Sequence, residues 1–243
     1  MYWVFKAILK PILRVLYGIK VEGLENLPKK GPAIIAANHL SFLDSFFIPL
    51  VVNRRKVTYL AKADYFKSWK TAWFFRMAGQ IPIEREGGKK SEAALNTALE
   101  VLKEGKLLGI YPEGTRSPND KLHRGRTGVA RLALAAQVPI IPCGLIGTLD
   151  VMPPDAKLPK FSGRPKVLVR FGKPIDLSQR YSSEERDRFI LRSITDELMY
   201  EIMQLSGQDY VDEYASRKPT EVLPESLRPI EDDIVLSEEV LAG

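Results

Sequence analysis

The sequence predicts an α/β protein, with a central, largely parallel sheet wrapped by helices and an amphipathic helical segment in front of it. Two observations carry this. Short apolar runs bounded by turn residues alternate along the chain with longer stretches whose apolar residues recur at helical spacing. The 243 residues are 45% apolar and 27% charged, which suits one large, well-buried core and excludes a disordered or fibrous chain.

Residues 1–20 read MYWVFKAILKPILRVLYGIK, with four bases and no acid. Phe5, Ile8, Leu9, Ile12, Leu13 and Leu16 share one helical face, and Lys6, Lys10 and Arg14 form a stripe on another. This is the pattern of a helix lying in a membrane interface, and Trp3 and Tyr17 carry rings suited to that boundary. The competing reading is a helix docked on the core by its apolar face. Pro11 predicts a kink or a split. No stretch reaches the roughly 18 to 20 apolar residues that cross a bilayer. Charges inside the apolar region, with no small-residue cleavage site after it, argue against a signal peptide.

Strands are predicted from Pro32 to Ala37, Val57 to Ala61, Gln80 to Ile83, Leu107 to Tyr111, Val138 to Gly147 and Lys166 to Phe171. Helices are predicted from Ser41 to Val52, Asp64 to Met77, Ser91 to Lys103, Thr127 to Ala136 and Ser183 to Leu205. Gly105 suits a C-terminal cap, Pro112 stops the strand before it, and Ser183 and Arg186 stand at the start of the last helix. The organisation is therefore a docking segment over 1–20, one domain over 21–216, and a Pro- and acid-rich tail over 217–243.

The formal charge of +6 is uneven. From Thr220 onward seven acids face one base, Arg228, so the tail carries −6 and residues 1–219 carry +12. A basic body calls for an anionic partner, either phosphorylated molecules, an anionic membrane or nucleic acid. A lone cysteine, Cys143, excludes an internal disulfide and cysteine-based zinc sites. Its apolar surroundings make it a buried thiol rather than a nucleophile.

Two loops follow strands. In Asn38-His39-Leu40-Ser41-Phe42-Leu43-Asp44, Ser41 and Asp44 form a capping-box-like pair at a helix start. That places Asp44 in the first turn with His39 just outside it. His39 is suited to general-base work near neutral pH, and a carboxylate on its other nitrogen fixes the tautomer. The bland alternative is a cap beside a loop histidine. In Tyr111-Pro112-Glu113-Gly114-Thr115-Arg116-Ser117, Gly114 lets backbone N–H groups approach a ligand, and Thr115, Arg116 and Ser117 add donors. This suits phosphate, although a plain turn with a surface arginine reads equally well. Gly109 and Gly114 have P-loop spacing, but Thr115-Arg116 stands where Lys-Ser/Thr is required, which argues against nucleotide hydrolysis. No Gly-x-Ser-x-Gly elbow exists. His123, among Lys121, Arg124 and Arg126, reads as part of a basic rim.

Taken together, the loops resemble the glycerolipid acyltransferases, and most closely the 1-acyl-glycerol-3-phosphate acyltransferases. Asn38-His39-x4-Asp44 resembles their His-x4-Asp motif, and Gly79 to Arg85 their second block, whose arginine contacts the acceptor. Tyr111 to Ser117 resembles their Phe-Pro-Glu-Gly-Thr-Arg-Ser block, and Val138 to Pro142 their apolar fourth block. Pro82 and Glu84 depart from the commoner residues of the second block, which bears on the acceptor's identity. The likeness runs from about Leu24 to Phe171.

The resemblance implies direct acyl transfer from acyl-CoA or acyl carrier protein to the free hydroxyl of lysophosphatidate. It needs no metal and no cofactor. His39 is then the base and Asp44 its partner. Arg85 and Arg116, with Thr115 and the amides near Gly114, hold the phosphate. Glu113 fixes Arg116 or a backbone amide. The membrane partner is expected to be anionic and the location the cytoplasmic face of the cell membrane, peripheral or monotopic. Another lysolipid acceptor is the nearest alternative. A nucleic-acid-binding protein is the rival of another class, against which the bases are scattered and no such motif occurs.

Overall fold

The computed structural model describes residues 2–215 apart from 78, 84–87, 154–155, 157, 162, 164 and 184–186; the acidic tail therefore lies outside the described residues. In chain order the elements are α1 (Tyr2–Tyr17), β1 (Lys20–Glu22), β2 (Ala33–Ala37), α2 (Asp44–Val51), β3 (Val57–Lys62), α3 (Trp69–Met77), β4 (Ile81–Ile83) and α4 (Gly88–Lys103). Then follow β5 (Leu107–Ile110), β6 (Leu122–His123), α5 (Gly128–Ala136), β7 (Ile140–Ile146), α6 (Thr148–Val151), β8 (Leu168–Phe171), α7 (Arg188–Ser206) and β9 (Tyr210–Val211).

The main sheet has the order β1-β8-β7-β2-β5-β3-β4. Its neighbours run parallel except β7 and β8, which bears out the largely parallel sheet. The central strand β2 is apolar at all five positions because both of its faces are covered. Ala33, Ile35 and Ala37 join a core with Tyr17 of α1 and Phe47 and Ile48 of α2. Ile34 and Ala36 join the opposite core with Leu102 of α4, Leu134 of α5 and Leu198 of α7. β6 and β9 form a separate two-stranded pair.

α4 starts at Gly88, three residues before the expected Ser91. Three other helix boundaries differ from expectation, each for a local reason. The stretch from Asp64 to Met77 divides into a tight turn over Ala63–Phe66 and then α3. The break lets Tyr65 stack on Phe75 with ring centroids 4.8 Å apart. Ten residues of unbroken helix would separate them by about 15 Å. α2 starts at Asp44 rather than Ser41: the Ser41 hydroxyl donates to the Met152 carbonyl and accepts the Leu43 N–H at 3.3 Å, and the residues between form a turn ahead of the helix. α7 starts at Arg188, where Asp187 accepts from the amides of Phe189 and Ile190. Ser183 stands before that helix, and Arg186 lies outside the described residues.

The N-terminal segment corrects the sequence reading most. α1 runs unbroken through Pro11. The carbonyl that Pro11 leaves without a partner is that of Ala7, and both residues are exposed, so water can serve it. Leu9, Leu13 and Leu16 pack on the core, whereas Ile8 and Ile12 are exposed with Val4 and Val15; the Phe5 side chain is outside the described part. Lys6 is not on an outward cationic stripe. It is buried, and its ammonium donates to the carbonyls of Pro49 and Val52 at the end of α2, the former at 2.6 Å. Lys10 donates to Asn53 beside it. Unserved carbonyls at a helix C-terminus carry partial negative charge and draw the Lys6 ammonium inward. Burial, with Lys10 nearby, pulls the Lys6 ammonium down to about 8.

Lys6→Met should therefore lower stability by about 1.5 to 3 kcal/mol, the range for a hydrogen bond to a charged group. Ile8→Ser, on the exposed face, should change it by less than about 0.5 kcal/mol. Thermal melts of the two variants check this pair of outcomes.

Candidate active site

The two sequence loops meet because β2 and β5 are adjacent parallel strands, with Ala36 opposite Ile110. Whatever follows each strand emerges at the same sheet edge, where open α/β sheets bind ligands. Asn38 follows β2 and is locked to β7: its amide donates to the Leu145 carbonyl and its oxygen accepts from the Leu145 N–H. The same amide donates to Gln208, which in turn donates to the Asp120 carbonyl.

His39 comes next. Its backbone N–H donates to Glu113 Oε1 at 3.0 Å, and its carbonyl accepts from the Ser117 N–H at 2.7 Å. Both main-chain polar groups of the histidine are thus held by the second loop. Its ring is held separately. Nδ1 lies 2.9 Å from Asp44 Oδ2, and the ring stacks on Tyr111 at 3.9 Å and 8°. Asp44 Oδ2 also accepts the amides of Leu40 and Ser41, both at 2.7 Å. The latter bond is half of the expected capping box. Tyr111 is fixed by its hydroxyl against Ser45 at 3.0 Å and by stacking on Tyr59 at 5.4 Å. The Tyr59 ring occupies space that only a glycine leaves at position 109; a Cβ there would stand 2.1 Å from it.

Asp44 is fully buried and the His39 side chain 16% exposed, so the dyad presents only its base. With Nδ1–H given to Asp44, Nε2 is left as proton acceptor. Two cavities meet at this ring. One, of about 260 Å³, has aromatic walls from Phe42, Phe46, Tyr65 and Phe75 and also reaches Gly114, Thr115 and Arg116. The other, of about 560 Å³, shares His39, Tyr111 and Gly114 and is lined by Leu95, Arg126 and Arg131 among others.

The expected residues thus fall into three groups. His39 and Asp44 are in contact, and Gly114, Thr115 and Arg116 share a cavity with the histidine. Gly114 has φ +78°, and a side chain there would press on Arg126, 3.0 Å away. Glu113 stands behind the site. Its Oε2 accepts from the His123 N–H at 3.0 Å while Oε1 holds His39, and it is 1% exposed. Of its two expected roles, fixing a backbone amide is the one these bonds show. Arg85 lies outside the described residues.

His123 is not a rim residue. It is buried, with Asn119 Oδ1 at 2.8 Å and the Glu213 carbonyl at 3.2 Å from its ring nitrogens. Cys143 is buried as expected, and burial pushes its thiol up. Sequence reasoning did not single out Arg126, Gln80 or Tyr111 as lining residues; Tyr111 and Gln80 stand inside the quoted blocks and Arg126 near His123, but their place in the cavity walls is set by the fold. Among the described residues no group of acids, histidines and cysteine is placed to hold a metal.

Fold and site define an α/β protein with a histidine–carboxylate base at the carboxyl edge of its sheet, between an aromatic cavity and an arginine-bearing one. The family profile "Acyltransferase" matches residues 18–146, more than half of the chain, and the chain belongs to that family. It is similar to the 1-acyl-sn-glycerol-3-phosphate acyltransferase LPAT1, chloroplastic, of Arabidopsis thaliana, at 32% identity over 65% of this chain and 44% of that one. It is also similar to a 1-acyl-sn-glycerol-3-phosphate acyltransferase of Bacillus subtilis (strain 168), at 28% identity over 82% of this chain and 94% of that one. The chain thus spans less than half of the plant relative and nearly all of the bacterial one. The crystal structure of the 1-acyl-sn-glycerophosphate (LPA) acyltransferase PlsC from Thermotoga maritima matches with a TM-score of 0.57 at 25% identity, over 81% of this chain and 80% of that one.

Burial raises the Glu113 carboxyl from 4.5 to about 7; the amides of His123 and His39 pull against this, and Asp44 adds to it. A folded-state value above the unfolded one means that the folded protein takes up a proton as pH falls from about 7 toward 4.5. Stability from this group therefore rises through that window and is lowest above it. Glu113→Gln cannot titrate. The melting temperature of the wild type minus that of the variant should grow as pH is lowered from 8 to 5. A constant difference across that range contradicts the assignment.

Proposed function

We propose that this protein transfers a fatty acyl group from an acyl thioester to the free hydroxyl of lysophosphatidate, giving phosphatidate. The observation that carries the proposal is the dyad, whose base faces the junction of the two cavities. Nε2 of His39 takes the proton from the acceptor hydroxyl as its oxygen attacks the thioester carbonyl. Asp44 holds the ring and balances the imidazolium. Collapse of the tetrahedral species expels the thiolate, which takes the proton back from His39. The ester forms, the thioester breaks, and no acyl-enzyme is required.

Aromatic walls suit an acyl chain. Half-buried Arg116 and exposed Arg126 suit the acceptor phosphate, since a guanidinium offers a planar fork to it. Arg85 is proposed for the same role from the family resemblance. The donor is acyl-CoA or acyl carrier protein, both of which are anionic and match the basic body. The named activity of the relatives supports lysophosphatidate as acceptor.

In a purified protein supplied with lysophosphatidate and either donor, His39→Ala should lose roughly 10² to 10⁴-fold in turnover while remaining folded. Asp44→Asn should be comparably severe. Arg116→Ala should raise the Michaelis constant for lysophosphatidate more than that for the thioester, and Arg116→Lys should rescue only in part. Near-normal turnover of folded His39→Ala removes the mechanism.

A lipid acceptor requires that the site reach an interface, and we place the protein at the cytoplasmic face of the membrane as a peripheral or monotopic enzyme. Among the described residues no helix is long and apolar enough to cross a bilayer. The support comes from α1, which leaves Trp3, Val4, Ile8, Ile12 and Val15 exposed while Leu9, Leu13 and Leu16 pack inward. Arg14, also exposed, adds attraction for anionic lipid. Changing Val4, Ile8 and Val15 together to serine should reduce co-sedimentation with anionic vesicles about tenfold or more. The thermal melt should stay within a few degrees of wild type. Undiminished vesicle binding by this variant counts against the surface.

A further inference from the structure

Gln80 sits in the wall of the aromatic cavity, between α3 and β4. Its backbone is anchored, the N–H donating to the Phe75 carbonyl at 3.0 Å, and the residue is only 5% exposed. Neither Oε1 nor Nε2 of its side chain has a hydrogen-bond partner among the described residues. An amide out of water and unpaired is costly, so such groups rarely persist without a use. The other walls of the cavity are mixed, with Phe42, Phe46 and Phe75 apolar and Ser45, Thr115 and Arg116 polar, and none of them hydrogen-bonds the Gln80 carboxamide. The same cavity contains the His39 ring.

We infer that Gln80 is a specificity-determining residue, and that its carboxamide pairs with an oxygen function on the lipid chain or backbone held in this cavity. This rests on the acyl-transfer reading above and deepens it. A purely hydrocarbon occupant would fill the aromatic space and leave both amide atoms dry. A carbonyl oxygen accepts from Nε2, and a hydroxyl can serve either Nε2 or Oε1. Two lipid sources supply that chemistry. One is the ester carbonyl of the acceptor's existing chain. The other is a hydroxyl on the acyl chain of the donor. A site built to pair with an oxygen rejects the analogue that lacks it, because its own polar group is then stranded.

The test compares the wild type with Gln80→Leu and Gln80→Met on two matched pairs. The acceptors are 1-acyl- and 1-alkyl-glycerol-3-phosphate, which differ by the carbonyl. The donors are plain and hydroxylated acyl-CoA of equal chain length. The wild type should favour the oxygen-bearing member of one pair by about 3- to 10-fold in kcat/KM, the scale of one net hydrogen bond. Both variants should bring that ratio close to one, and the pair that responds identifies the source. Because the Gln80 side chain has no hydrogen-bond partner among the described residues, neither variant should melt below the wild type. Ratios unchanged in both variants on both pairs overturn the inference, and so does a clear drop in melting temperature, which would reveal a structural partner. A wild type that transfers no acyl group to any acceptor fails at the earlier step, removing the acyl-transfer reading and this inference with it.

Discussion

The site depends on one constraint: the His39 peptide is gripped on both sides by a loop 74 residues further along the chain. Glu113 takes its N–H and Ser117 serves its carbonyl. Without these bonds the turn after β2 would leave two polar backbone groups unserved at a buried sheet edge. The carboxylate that does this is itself buried, and two amide donors only partly offset that burial, as its raised affinity for a proton shows. Glu113 also binds the His123 N–H, so one side chain ties the His39 loop to β6. β6 in turn pairs with β9, which follows the last helix. The end of the described chain thus underpins the residue at the junction of the two cavities.

Helix α2 supplies the second support. Its first two residues are Asp44 and Ser45. Asp44 takes the edge of the His39 ring, and Ser45 holds the tyrosine on which the ring lies flat. An edge contact alone permits rocking about the bond, and a face contact alone permits sliding. Together they fix the direction in which Nε2 points. The other end of α2 is closed by Lys6 of α1. An acid at the start and an ammonium at the end both complement the helix dipole. The docking of α1 and the setting of the base therefore share one eight-residue helix.

How much of this was legible depends on sequence separation. The His39–Asp44 contact is local, and the spacing around a helix start was enough to propose it. The meeting of the two loops followed from parallel strands, which the apolar runs indicated. Glu113 was legible as a residue to watch but not in its role, because its partners, His39 and His123, are fixed only by the fold. Lys6 was misread for a related reason. Helical periodicity sorts residues into faces but does not say which face meets the core. The deciding fact, two open carbonyls at the end of α2, lies 43 and 46 residues away. Gln80 was legible as the start of a short strand and as part of the second block, but not as a cavity residue, because nothing local in the chain reveals that its amide is buried and unpaired.

A helix that only propped the core would need one apolar face, and α1 has two. Leu9, Leu13 and Leu16 give it a packed face, and the exposed valines and isoleucines give it an apolar one. Packing alone would favour polar residues on the outward side, as on ordinary surface helices. An interfacial helix without a core face would leave its cations outward, yet Lys6 turns in. Scattered apolar residues on a surface need no explanation, but a contiguous set along one helix does. The set lies on the helix whose Lys6 closes α2, and α2 begins at Asp44. A lipid surface meeting that face would therefore bear on a helix joined through α2 to His39, because the contacts that seat α1 on α2 lie on the same short helix that begins at Asp44.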